Sequence, residues 1–172
     1  MRVIEFAALS LETSDYADAV RTLAAELAAE SGHAASAHVE VRGLQQALHP
    51  LVRDESFRIV SEALHNAFHH AAAQRIDVEI NYEARQLRIR VRDDGQGIEP
   101  EVLSRGEREG HFGLGGMRER AALAGGSLMV RSHPEQGTEI ELSVPGARAY
   151  SQAAPARWWF LFGKFSPSEI GR

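Results

Sequence analysis

A chain of 172 residues, 44% hydrophobic and 25% charged, has the composition of a globular domain with a real core. It contains no cysteine, which excludes disulfides, thiolate zinc sites and a cysteine nucleophile, and its net charge of -5 lacks the basic excess of a nucleic-acid surface. No apolar run approaches the roughly 20 residues of a membrane span, and Lys164 is the only lysine among 19 cationic side chains, so neither a P-loop nor a strand-lysine phosphate site fits.

Residues 1–12 fit a helix or a strand equally. Ser14 or Asp15 caps a helix running to about Glu30, with Ala19, Val20, Leu23, Ala24 and Leu27 as its stripe and Ser31-Gly32 as its stop. His38 to Arg42 alternates as a short strand that Gly43 breaks. After a loop over 45–50, a helix opens at about Leu51 and is expected to end in the alanines 71–73. On that helix Val60, Ala63, Leu64, Ala67, Phe68 and Ala71 share one side, and Glu62, His65, Asn66, His69 and His70 lie opposite. A solvated face is ordinarily rich in Lys, Arg, Glu and Gln. This one carries a carboxylate, an amide and three imidazoles, groups suited to a metal ion or a polar ligand. His65 with Glu62 and His69 suggests a transition-metal site, but no second Glu-x-x-His helix completes one.

Ile76, Val78, Ile80 and Tyr82 alternate with polar residues, and after the turn Glu83-Ala84-Arg85 so do Leu87, Ile89 and Val91. This predicts an antiparallel hairpin with acids facing arginines on its outer side. The pattern returns in Leu128 and Val130, then in Thr138, Ile140, Leu142 and Val144, around a turn at 133–137. One polar and one apolar face predict an α/β (α+β) two-layer sandwich: a mixed, mostly antiparallel sheet covered on one face by helices.

Between the hairpins, Asp93-Asp94-Gly95-Gln96-Gly97-Ile98 leaves the sheet, and Glu99 to Leu103 makes a short helix begun by Pro100. The charged stretch 104–112 has lid character, with Gly106 and Gly110 as hinges. Gly113-Leu114-Gly115-Gly116-Met117 then enters a helix ended by Gly125-Gly126. Glycines at a helix start offer backbone N–H groups to phosphate. After Pro145 the regular pattern dissolves, and Trp158 to Phe165 is either a docking strip or a tail packed on the domain.

In this order the polar features resemble the Bergerat-fold ATPases, the group that contains DNA gyrase, a heat-shock chaperone, mismatch-repair ATPases and the histidine kinases. Glu62-x-x-x-Asn66 is similar to the family's N box, Asp93-x-Gly95-x-Gly97 to its first glycine box, Gly113-Leu114-x-Gly116-Met117 to its second, and Gly137-Thr138 to its closing box. The resemblance spans about residues 54–145. Within the group, Glu62-Ala63-Leu64-x-Asn66 and Gly116-Met117-Arg118-Glu119-Arg120 are similar to histidine kinases of the nitrate-sensor type.

The resemblance implies binding of ATP and Mg²⁺. It gives Asp93 the exocyclic amine of adenine, Asn66 the Mg²⁺, Glu62 the place of general base, and His70 with Gly113, Leu114, Gly115, Gly116 and Met117 the phosphates. Gly95, Gly97 and Thr138 complete the nucleotide set. His69 departs from the family, standing where Lys or Arg is usual. A kinase of this type also needs an acceptor histidine followed by Asp or Glu, and none of the eight histidines here is. The expectation is therefore a catalytic domain, residues 38–146, flanked by a helical lead over 1–37 and a tail over 147–172, with Met1 as an artificial start. The acceptor helical hairpin of the same full-length kinase would lie outside this chain, with a response regulator as the indirect partner. The resemblance further implies a homodimer in the full-length protein, a cytoplasmic location and an inner-membrane anchor elsewhere. The rival readings are an anti-sigma-factor-type serine kinase and a degenerate module that uses the same surface for protein binding.

Overall fold

A computed structural model of the chain describes residues 16–32, 35–99, 101 and 113–151. They form helix α1 (Tyr16–Ser31), strand β1 (Ser36–Gly43), helix α2 (Pro50–His69), strands β2 (Arg75–Tyr82) and β3 (Gln86–Asp93), helix α3 (Leu114–Leu123), strands β4 (Ser127–His133) and β5 (Gly137–Pro145), and a helical turn α4 (Gly146–Ala149). The caps expected at Ser14 and Asp15, the short helix begun by Pro100, the lid over 104–112 and the Trp158 to Phe165 segment lie outside the described residues.

The strands make one sheet in the order β1-β2-β3-β5-β4, with β1 parallel to β2 and the other pairs antiparallel. Register follows from the period of two. Ala37, Val39 and Val41 lie beside Ile76, Val78 and Ile80, which lie beside Asp93, Val91 and Ile89, and the row continues into Ile140 and Leu142. These side chains face the helices and form the core with the stripes of α1 and α2. A slip of one residue would turn the whole row to solvent, so the pairing is strongly specified.

The outer face carries the expected acid–arginine pairing. Glu79 lies opposite Arg90 and Asp77 opposite Arg92, while Glu141 and Glu139 meet the same two arginines from β5. Arg42 approaches Glu79 at 3.6 Å, Glu79 binds Arg90, Arg90 approaches Glu139 at 3.6 Å, and Glu139 binds Arg131 at 2.8 Å. A row of ion pairs thus crosses all five strands.

Helix α2 is the central covering element. Val52, Phe57, Ile59, Val60, Ala63, Leu64, Ala67 and Phe68 bury its apolar stripe, and Tyr16 of α1 meets Phe57 edge-to-face at 6.5 Å. Pro50 opens it at a position where a missing N–H costs nothing. The helix stops at His69, short of the alanines 71–73 where the sequence pattern places its end. The reason lies in the loop after β3. Gln96 donates its backbone N–H to Ala71 O at 2.8 Å and its side-chain amide to His70 O at 2.8 Å, so carbonyls at this end find their donors outside the helix. Ala72 then turns the chain with φ 51°.

The regular structure also runs beyond Pro145. Gly146 donates to Arg85 O at 2.7 Å, and Tyr150 is buried, bridges to Leu48 and places its hydroxyl 2.8 Å from Glu83 O and 3.0 Å from Gln86 O. The β2–β3 turn is what this segment holds. Alanines and a glycine carry no periodic signal, so only the single tyrosine hinted at it.

Candidate functional site

The inward row of β3 is Leu87, Ile89, Val91 and then Asp93. Alternation alone therefore sends a carboxylate to the helix-covered side, where Asp93 is 6% exposed. Its Oδ1 accepts the N–H of Gly95 at 2.9 Å and that of Thr138 at 3.3 Å, and among the described residues Oδ2 has no hydrogen-bond partner. Burial pushes the Asp93 carboxyl above the usual aspartate range, with the two N–H bonds working against the shift. Asp94 behaves oppositely. It points back to the start of β2, accepts the N–H groups of Arg75 at 2.9 Å and Gln74 at 2.8 Å, and is held below the usual range chiefly by the Arg75 bond.

The loop that follows is pressed between two other segments, and its glycines make that approach possible. A methyl group on Gly95 would stand 2.2 Å from Ala71 O, and one on Gly97 would stand 2.0 Å from His133 O. Gly97 also has φ +69°, which favours glycine. The room at both positions is taken by protein backbone. Ser132, 8% exposed, ties the same layer together: its Oγ accepts from Ile98 N at 2.8 Å, meets Thr138 Oγ1 at 2.8 Å and lies 3.2 Å from Gly137 O. Glu135 N donates to Gln96 O at 2.8 Å and locks the β4–β5 turn onto the loop.

Between this loop, the C-terminal half of α2 and the start of α3 lies a cavity of about 510 Å³, within the range of small-molecule sites. Ala63 and Asn66, three residues apart, line it from one face of α2, and His70 lines it from just past the end of that helix. Val91, Ile140, Ile98 and Leu114 supply apolar walls, with Asp93 and Thr138 among them. The arrangement joins apolar walls and a buried acceptor to an amide and an imidazole, a lining suited to a ligand that pairs an apolar part carrying a hydrogen-bond donor with a polar group.

Of the residues singled out in the sequence, the cavity brings together Asn66, His70, Asp93, Gly97, Leu114 and Thr138. The others stand around it. Gly95 is buried beneath the loop, and Met117, 1% exposed, belongs to the core. Glu62 is half-buried beside Gly113, whose φ is +65° and where a methyl group would stand 2.2 Å from Glu62 Oε1. Gly115 is half-exposed; Gly116 is exposed, and a methyl group added there would find nothing within 4 Å. His65 and His69 form a ring pair at 4.4 Å on the exposed side of α2. Sequence reasoning missed Ser132, Gln96, Glu135 and every apolar wall except Leu114. Val91 and Ile140 were readable as inward neighbours of Asp93 and Thr138, whereas nothing in the sequence marks a lone serine as the hub of three segments.

Residues 52–148, more than half of the chain, match the family described as histidine kinase-, DNA gyrase B-, and HSP90-like ATPase. The chain belongs to that ATPase family. Its relatives include the sensor histidine kinase LiaS of Bacillus subtilis, 39% identical over 94 residues, which cover 55% of this chain and 25% of that protein. Another is the signal transduction histidine-protein kinase/phosphatase UhpB of Salmonella typhimurium, 33% identical over 135 residues, covering 78% of this chain and 25% of that protein. The histidine kinase domain of a blue-light activated histidine kinase from Erythrobacter litoralis superposes with a TM-score of 0.61 at 25% identity, covering 77% of this chain and 62% of that one. The ATPase domain here spans about a quarter of the length of the curated relatives it matches. No helix among the described residues is long and apolar enough to cross a membrane.

Proposed function

We propose that this domain binds Mg-ATP and is the catalytic unit of a sensor histidine kinase of the nitrate-sensor type, passing the γ-phosphoryl group to a histidine on a helical hairpin outside this chain. A response regulator receives the group afterwards. The same proposal places the domain in the cytoplasm and, in the full-length protein, beside a dimerising and membrane-anchored portion. The observation that carries it is the buried Asp93 carboxylate at one side of a 510 Å³ cavity that Asn66 of α2 and His70, just past its end, also line.

Asp93 reads the base. Both N–H groups bind Oδ1, which leaves Oδ2 to accept an exocyclic amine; guanine would bring a carbonyl there and leave two acceptors facing each other. Asn66 supplies a hard oxygen. Among the described residues no group of three or more His, Asp or Glu side chains is placed to hold a metal ion, and Mg²⁺ suits such a site because it takes one or two protein oxygens and completes its shell with phosphates and water. When bound, Mg²⁺ neutralises phosphate charge. His70 and the N–H groups at the start of α3 orient the phosphates, and Glu62, beside that turn, stands ready to accept a proton from the attacking imidazole.

Calorimetric titration of the chain with Mg-ATP and Mg-GTP, repeated on Asp93→Asn, tests this reading. ATP alone should bind, and the substitution should abolish it. In the variant the two N–H groups hold the amide oxygen, so an NH₂ group turns toward the base amine. Equal binding of GTP, or full ATP affinity in the variant, would remove Asp93 from the base site.

A further inference from the structure

We propose that Glu55 and Arg120 are positioning residues: their ion pair sets the register of α3 along α2, and with it the place of the Gly113 turn beside Glu62 and Asn66. The inference rests on the reading of that turn as the phosphate end of the site. Two contacts define how the helices lie. Gly113 meets the Glu62 carboxylate, so closely that a methyl group would stand 2.2 Å from Oε1, and Arg120 Nη1 donates to Glu55 Oε2 at 3.1 Å. Advancing from 113 to 120 on α3 retreats from 62 to 55 on α2. The helices are therefore antiparallel, and the two contacts sit the same two turns apart on each, about 10 Å along the axis.

A helix held at both points can neither slide by a turn nor roll without breaking one of them. The contact at Gly113 has little grip of its own, because glycine offers no side chain to hold the carboxylate. Leu114, Met117 and Ala121 bury the apolar side of α3, but apolar burial is non-directional and tolerates small slides. The ion pair, by contrast, is directional. Glu55 is 13% exposed and Arg120 is 38% exposed, so the carboxylate is largely withdrawn from water and needs its partner. The pair lies away from the cavity lining, and its effect reaches the nucleotide only through the position of α3.

The test is calorimetry on the chain with Mg-ATP and with adenosine, which lacks phosphates, for the wild type, Glu55→Gln, Arg120→Gln and the reversed pair Glu55→Arg with Arg120→Glu. Each single variant should weaken Mg-ATP about ten-fold while adenosine stays within about two-fold, because displacement of the phosphate end leaves the base end in place. The reversed pair should recover most of the lost ATP affinity. Unchanged ATP affinity in the single variants, an equal loss for adenosine, or a reversed pair that folds without recovery would each overturn the inference alone. Failure of the wild type to bind Mg-ATP would instead overturn the nucleotide reading on which it rests.

Discussion

Gly116→Ala separates what the fold wants from what a ligand wants. Gly116 is the third residue of α3, has no positive φ, and a methyl group there would meet nothing within 4 Å. Replacing a helical glycine with alanine stabilises by about 0.5–1 kcal/mol, because the unfolded chain loses less backbone freedom on folding. For a domain of this size that is a rise in Tm of about 1–4 °C. If phosphates approach the backbone at this turn, the same methyl group occupies their path, and Mg-ATP affinity should fall about ten-fold, some 1.4 kcal/mol, while adenosine is unaffected. Thermal melting without nucleotide and calorimetry with each ligand read the two effects separately. A variant that is more stable and binds Mg-ATP as well as the wild type would show that phosphates do not come near Gly116. A variant with a lower Tm would contradict the open space around the residue.

The Asp93 carboxyl is raised by burial, so the folded chain holds its proton more tightly than the unfolded chain does. The stability this confers is full below the unfolded value near 3.8 and is lost as pH rises through the folded value. Ionised Asp93 is thus a cost to the empty fold and, on the proposed reading, a requirement for the base, and Mg-ATP affinity measured by calorimetry should then decline on acidification before an ordinary aspartate would protonate. A decline that instead tracks the ordinary aspartate range would refute this. Ser132→Ala strands the Ile98 N–H, with an expected loss of about 1–3 kcal/mol in denaturant unfolding and a weaker nucleotide site as the loop loosens. An unchanged unfolding midpoint would mean that water replaces the hydroxyl.

Much of this fold is written in its periodicities. The rows Ile76 to Tyr82 and Leu87 to Val91 specify strands and facing, and the phase of the second row already carries Asp93 inward. Asn66 and His70 could be found because their four-residue spacing puts them on one side of a helix; Ala63, which the sequence pattern sets opposite them, in fact lines the cavity beside them. What escaped depends on contacts distant in sequence. The end of α2 is decided by Gln96, whose two amide groups reach carbonyls at 70 and 71, and no helix propensity around Ala72 reveals that. The hold of Tyr150 on the β2–β3 turn, and of Ser132 on Ile98, likewise rest on single hydroxyls reaching across the fold with no local pattern to announce them. The glycines after Asp93 were readable as necessary but not for their reason, which is the approach of Ala71 and His133 backbone.

The row of ion pairs from Arg42 to Arg131 gives the uncovered side of the sheet a particular social behaviour. Each arginine there has a glutamate on at least one side, so the surface neutralises itself over a few ångströms and projects little field into the solvent. Among the described residues, apart from Met129, it offers scarcely any greasy area. A passing macromolecule is neither drawn in nor driven off on that side. Among the described residues, the sheet's back is in effect a blank wall, without the net field or the apolar patch on which an encounter could build.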